Sequence, residues 1–281
     1  MNAINTPPPF IFHAGTAPLL LSIPHGGLYI PPAQLARMTP AAAQRADTDW
    51  HLDRLYAFAK AMGASILQAT HSRYVIDLNR PPDDASLYPG MDTTGLCPVD
   101  TALREPLYQQ GCEPSADEIA ARVVSVWQPY HQQLHSELAR IKSIHGCAVL
   151  WDAHSIKSVL PRFFEGRLSD INLGTNSGAS CSAALEASLA NIAQAAAPQG
   201  YSSVVNGRYK GGYITRYYGK PAQNIHAVQL ELTQCCYMDE APPFEYSPKL
   251  AGQVQGVLQQ MLQACLVFGA DFTTESAVKA A

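Results

Sequence analysis

Two histidines close apolar runs in the same way: Leu19-Leu20-Leu21-Ser22-Ile23-Pro24-His25 and Ala148-Val149-Leu150-Trp151-Asp152-Ala153-His154. Imidazoles at neighbouring strand ends converge on one edge of a sheet, where they can hold a metal ion or move protons. Gly26 and Gly27 follow His25 and leave room for a sharp turn and a close ligand. A catalytic zinc takes three protein ligands, often two His and a carboxylate, and keeps a position for water. The carboxylate candidates are Asp47, Asp49 and Asp53. Asp49 is the preferred ligand with Asp53 as its partner one turn along the same helix face, or the reverse. Asp152 shares a strand face with His154 and suits orienting an imidazole. Taken singly, each residue also has an ordinary structural reading, as a hydrogen-bonded core histidine or an Asp favoured at a helix start.

Hydrolysis at such a centre needs a base as well as a metal. Glu231 is the one acid in the apolar run Ala227–Leu232, where a carboxylate must be paired, protonated or at a site edge. Gln229, two residues earlier, leaves open an exposed alternating strand. Arg80 beside Asn79 suits a bidentate grip on a carboxylate, and the turn Arg208–Arg216 adds two arginines around Gly212 and Tyr213. Substrate contacts are therefore expected from Asn79, Arg80, Gly212, Tyr213 and Arg216. His131 and His135 stand four apart on a helix but lack the Glu of a zinc-protease motif, so they read as a helix face.

Elements must carry these residues to one place. Apolar, β-prone runs at Phe10–Phe12, Leu19–Ile23, Ala64–Leu67, Tyr74–Leu78, Cys147–Trp151, Ser202–Val205 and Ala227–Leu232 predict strands, some covered on both faces. Helices are predicted over 49–62, from Ser115 to Ile144 with a kink or division at Pro129, and over 181–196 and 248–267. The alternation implies an α/β fold with a mixed, largely parallel central sheet and helices on both faces, in one domain over 1–281. Irregular stretches from Asn79 to Cys112 and from Ser155 to Ala179 follow predicted strands, where open α/β sheets place ligands.

With 19 basic and 23 acidic residues, and no Lys/Arg run, the chain is not built for a nucleic acid. It has no run long enough for a membrane span and no secretory pattern at its start. Seven cysteines without a C-x-x-C pair fit thiols in a reducing cytoplasm.

Six segments in order carry a family resemblance: Ser22-Ile-Pro-His25-Gly-Gly, Asp47-Thr-Asp49-Trp-His-Leu-Asp53-Arg-Leu-Tyr, Val75-Ile-Asp77-Leu-Asn79-Arg80-Pro-Pro, Asp152-Ala-His154-Ser, Lys210-Gly-Gly-Tyr213-Ile-Thr and Gln229-Leu-Glu231-Leu. They resemble the N-formylglutamate amidohydrolase (deformylase) family, which is similar to zinc-dependent exopeptidases and amidases. The resemblance implies a zinc-exopeptidase-like fold, with His25, Asp49 and His154 on a divalent metal, Zn2+ first among them. It implies Glu231 as general base and Asn79 with Arg80 on a substrate carboxylate. The Asp at the acidic ligand position departs from the Glu of the related enzymes. The implied reaction is hydrolysis of a small dicarboxylate, N-formyl-L-glutamate, to formate and L-glutamate in histidine degradation. A metal amidase of another N-acyl amino acid or of a peptidoglycan stem, and a non-catalytic metal-binding protein, are the alternatives.

Overall fold

The computed structural model describes residues 6–280, with residues 273–280 by backbone alone. Seven strands form one sheet: β1 (Phe10–His13), β2 (Leu19–Ile23), β3 (Ser65–Ala69), β4 (Ala148–Ile156), β5 (Ile171–Gly174), β6 (Ser203–Val205) and β7 (Ile225–Thr233). Their order is β1-β3-β2-β4-β7-β5-β6. The central four, β3-β2-β4-β7, are mutually parallel, while β1 and β5 join them antiparallel. The sheet is therefore mixed and mostly parallel, as the alternation of apolar runs and helical periods predicts.

The helices are α1 (Pro32–Leu35), α2 (Pro40–Gln44), α3 (Leu52–Leu55), α4 (Ala116–Arg122), α5 (Gln128–His145), α6 (Ala183–Ala195), α7 (Tyr213–Tyr218) and α8 (Pro248–Ala280). Side chains alternate across the strands. Leu19, Leu21, Val149 and Trp151 pack with α6 and α8 on one face, and Leu20, Ala148 and Leu150 with α5 on the other. Each fully buried leucine contributes about 1.5–3 kcal/mol, so β2 and β4 are held firmly from both sides.

Three expectations need correction. The segment Tyr74–Leu78 is buried but is no strand. Its carbonyls are taken by side chains, Gln34 Nε2 on Tyr74 (3.0 Å) and Arg122 Nη1 on Val75 (2.8 Å), in place of a sheet neighbour. The helix expected over 49–62 is broken: His51 lies in the left-handed region at φ 61°, α3 is four residues long, and a 3-10 turn follows at Ala57–Lys60. Its apolar positions Leu52, Leu55, Tyr56 and Ala59 are still buried. β5, inside the stretch expected to be irregular, completes the sheet beside β7.

The long helical run divides as Pro129 suggests. A π turn at Val123–Trp127 separates α4 from α5, so the residue without an N–H falls at the start of a new helix. Ser115 Oγ caps α4 by accepting from Glu118 N at 3.3 Å. The Glu118 carboxylate turns away to Arg37 and Arg122, so the box is half made.

Candidate metal centre and catalytic pocket

The order β2-β4-β7 places three strand ends side by side, and each delivers one reactive group. His25 stands just beyond β2, while His154 and Glu231 are partners in the β4–β7 register. Asp49 arrives on the turn before α3 and is tied to the first histidine by its backbone, Asp49 N donating to His25 O at 3.1 Å. Gly27 lets the chain after His25 press on the neighbouring segment, because a Cβ there would lie 2.5 Å from Thr70 C and 2.6 Å from His71 C.

One nitrogen of each imidazole and one carboxylate oxygen of Asp49 gather within 4.8 Å of one another. His25 Nδ1 lies 3.7 Å, and His154 Nδ1 3.1 Å, from Asp49 Oδ2. Ligands about 2.0–2.2 Å from a tetrahedral ion stand roughly 3.3–3.6 Å apart, so the spacing fits a divalent metal. The remote nitrogens are also held: His25 Nε2 donates to Asp77 Oδ1 at 2.7 Å, and His154 Nε2 lies 3.1 Å from Asp152 Oδ2. A carboxylate behind each imidazole fixes the tautomer that leaves Nδ1 free to ligate. Asp53, the alternative acidic residue, is exposed on α3 and stands apart from this group. Asp47 lines the pocket but accepts from Tyr74 Oη and Ala102 N, both at 2.9 Å.

The charges also ask for a cation. Asp49, Asp77, Asp152 and Glu231 are all buried. Burial alone would raise the Asp77 carboxyl, but His25 and Arg73 hold it well below the usual carboxylate range. Burial would likewise lower His154, yet the Asp152 and Asp49 carboxylates raise it well above the usual histidine value. The imidazolium thus supplies positive charge that a bound ion would replace, with loss of the proton. Burial pushes Glu231 up to about 8, aided by Asp49 and Asp152 and opposed by His154 and Arg73. A second group of possible ligands, Asp170 with Cys235 and Cys236, differs in one respect. The Asp170 oxygens already accept from Arg167, Ser202 and Thr233.

The cavity over this group holds about 140 Å3. At roughly 10–15 Å3 per water, that is room for about ten waters or a ligand of about a dozen heavy atoms. Both long irregular stretches wall it, Tyr88 and Asp92 from the first, Lys157 and Phe163 from the second. Arg80 faces the cavity, and among the described residues its guanidinium has no hydrogen bond or ion pair. Arg208 lines it too, with Nε on Phe163 O at 2.7 Å.

Of the other expected substrate contacts, Asn79 and Gly212 line the cavity, and Tyr213 and Arg216 do not. The Asn79 amide is committed inward, Oδ1 accepting from Ile214 N at 2.8 Å and Nδ2 lying 2.9 Å from His154 Nε2. Gly212 reaches the cavity wall, and its N–H donates to Gln229 Oε1 at 2.7 Å. Tyr213 packs against Trp127 and His131, and Arg216 donates to the carbonyls of Gly211 and Leu87. Neither is among the cavity-lining residues; they brace the loops. Sequence reasoning missed Arg73, which lies 2.8 Å from Asp77 Oδ2 and 3.9 Å from Asp49 Oδ1. It also missed the role of Asp77 behind His25. The only signal was their i, i+4 spacing, which is commonplace.

Fold and pocket together define an α/β protein with a candidate two-histidine, one-carboxylate metal centre at the ends of its parallel strands. The sequence profile of the N-formylglutamate amidohydrolase family matches residues 17–238. The chain belongs to that family. It is 52% identical over 258 residues to an N-formylglutamate deformylase of Pseudomonas aeruginosa, covering 92% of this chain and 96% of that one. An N-formylglutamate deformylase of Pseudomonas putida is 50% identical over 260 residues, with the same coverage of 92% and 96%. The crystal structure of an N-formylglutamate amidohydrolase from Ralstonia eutropha shares the fold, with a TM-score of 0.78 at 24% identity over 93% of this chain and 99% of that one.

Proposed function

We propose that the chain is a metal-dependent amidohydrolase that cleaves N-formyl-L-glutamate to formate and L-glutamate, the last step of one histidine-degradation route. The observation that carries this reading is the meeting of His25, Asp49, His154 and Glu231 beneath a small cavity with an arginine, Arg80, unpaired among the described residues. The deformylase relatives, half identical over nearly the whole chain, point to the same substrate. His25, Asp49 and His154 would hold the ion, and the domain spans 1–281. A divalent ion there, Zn2+ by the donor set, supplies a Lewis acid for the formyl carbonyl and lowers the pKa of water towards about 7.

The chain's own groups do the rest. Arg80 and Arg208 take the two substrate carboxylates and set the formyl group over the cluster. Glu231 removes a proton from the attacking water, whose oxygen joins the formyl carbon, and returns that proton to the nitrogen as the C–N bond breaks. Burial raises the Glu231 carboxyl to about 8, near the neutral range where a general base works best. Asn79 acts from behind, on His154. The seven free thiols support a cytoplasmic setting, and no described helix is long and apolar enough to cross a membrane.

Formate release from N-formyl-L-glutamate by purified protein tests the proposal. Dialysis against a chelator is expected to abolish release, and Zn2+ to restore it. Full activity in metal-free protein would refute the metal role. No formate, with release from another N-acyl amino acid or a peptidoglycan stem, would refute the substrate. Metal binding without turnover of any of these would leave a binding protein.

A further inference from the structure

Tyr209 lines the cavity. The Tyr209 hydroxyl is shut off from solvent and has no hydrogen-bond partner among the described residues. Burying a hydroxyl unpaired is costly, so such a group in a pocket wall calls for a partner that the protein itself does not supply. Tyr209 cannot readily turn away to find one. The chain on one side is anchored by Arg208 Nε on Phe163 O at 2.7 Å. On the other, Lys210 N lies 3.3 Å from Tyr88 Oη, and Lys210 O accepts from Asn176 N at 2.6 Å. The ring stands edge-on to Phe164, with centroids 6.4 Å apart.

We propose that Tyr209 is a catalytic residue, its phenol donating a hydrogen bond to the oxygen of the scissile carbonyl as negative charge builds there. The inference rests on the amide-hydrolysis reading. Tyr209 lines the cavity with Glu231 and Arg73, and the charges of both act on its phenol. Arg80 and Arg208 carry the positive charge for the carboxylates, so the position near the base is left for the reacting group. Burial and the nearby Glu231 carboxylate raise the phenol far above neutrality, so it keeps its proton and donates without ionising. A fixed neutral donor binds an oxyanion more strongly than a carbonyl, which is the condition for lowering a barrier. Among the described cavity-lining residues, Gln234 has the other buried polar atom without a partner, Oε1. Its Nε2 is committed to Thr48 O at 3.0 Å, so the free atom is an acceptor and unsuited to an anion.

The test is Tyr209→Phe in the metal-loaded enzyme, with wild-type formate release measured alongside. Loss of one oxyanion donor typically lowers kcat about 100- to 1,000-fold. We expect a fall of that order with KM within about threefold, and with metal content and Tm unchanged. A phosphonamidate analogue of the tetrahedral species should bind the variant more weakly by the factor lost in kcat/KM, and L-glutamate equally well. An active wild type with an unchanged variant, or with a loss confined to KM, overturns the tyrosine role alone. A wild type that hydrolyses no amide removes the reading beneath it as well.

Discussion

Gly212→Ala would report whether the pocket depends on the placement of one amide. Gly212 has φ −86° and ψ −161°, an extended conformation open to alanine, so the substitution adds a methyl group without backbone strain. That methyl would stand 2.5 Å from Asn79 Cγ and 2.6 Å from Oδ1, and closer still to Nδ2. Ordinary carbon contacts begin near 3.5 Å, so the Asn79 amide must retreat by about 1 Å. It cannot do so alone, because it lies 2.9 Å from His154 Nε2 and accepts from Ile214 N. A misplacement of about 1 Å in a catalytic constellation costs on the order of 100-fold, or about 2.7 kcal/mol of barrier. Formate release should therefore show kcat/KM down about 100-fold, with secondary structure by circular dichroism unchanged. Asn79→Ala opens the space that the methyl needs. Adding Gly212→Ala to it should change kcat/KM by less than about threefold, a coupling that a double-mutant cycle measures directly. An unimpaired Gly212→Ala, or a double variant falling a further 100-fold, would show that the clash with Asn79 is not what the glycine avoids.

Three other outcomes follow from the same geometry. Glu231→Gln should lower kcat by about 100- to 10,000-fold with metal content retained, since a general base contributes on that scale; loss of metal from the variant would make Glu231 a ligand instead. Asp77→Asn should weaken metal binding about 10- to 100-fold in competition with a fluorescent chelator, because it removes the carboxylate behind His25; unchanged affinity would reject that role. His131 is buried, stacked on Trp127, and donates Nε2–H to Leu78 O, and burial lowers it to about 3. Its unfolded value is about 6.5, so between the two values the unfolded chain binds the extra proton and stability falls as pH falls. At pH 5 the loss is about 1.5 pKa units, or roughly 2 kcal/mol relative to pH 7.5. Urea unfolding of His131→Gln should show about that much less acid sensitivity than the wild type, and equal sensitivity would refute the assignment.

The central part of the site is legible in the sequence because parallel strands buried on both faces write themselves as apolar runs. His25, His154 and Glu231 are the residues that interrupt or end those runs. Asp49 is less legible: it lies in the turn before a helix only four residues long, and its place beside the histidines follows from the bond to His25 O. The roles of Arg73 and Asp77 are the least legible. They flank Tyr74-Val75-Ile76, whose composition is that of a strand. What makes this segment a buried turn is the reach of Gln34 and Arg122 from distant elements to its carbonyls. Hydrophobic periodicity registers burial and not the source of the hydrogen bonds. Tyr213 and Arg216 mislead for the opposite reason. They sit in a motif beside the cavity-lining Gly212, but face the helices and loops that support it.

The π turn at Val123–Trp127 makes the long helix unequally tolerant of insertions and deletions along its length. A π turn closes its hydrogen bonds one residue later than an α turn. Deleting one residue there lets α4 and α5 merge as a continuous α-helix with both faces preserved. The same deletion within α5 would rotate everything after it by about 100°. That would carry Leu134, Leu138 and Ile141 off the sheet. The protein thus has one place in this helix where its length can change cheaply. What such a change would cost is the brace at the end of the turn, where Trp127 Nε1 donates to Arg80 O at 3.0 Å. A shortened chain would fold with the Arg80 loop held less firmly.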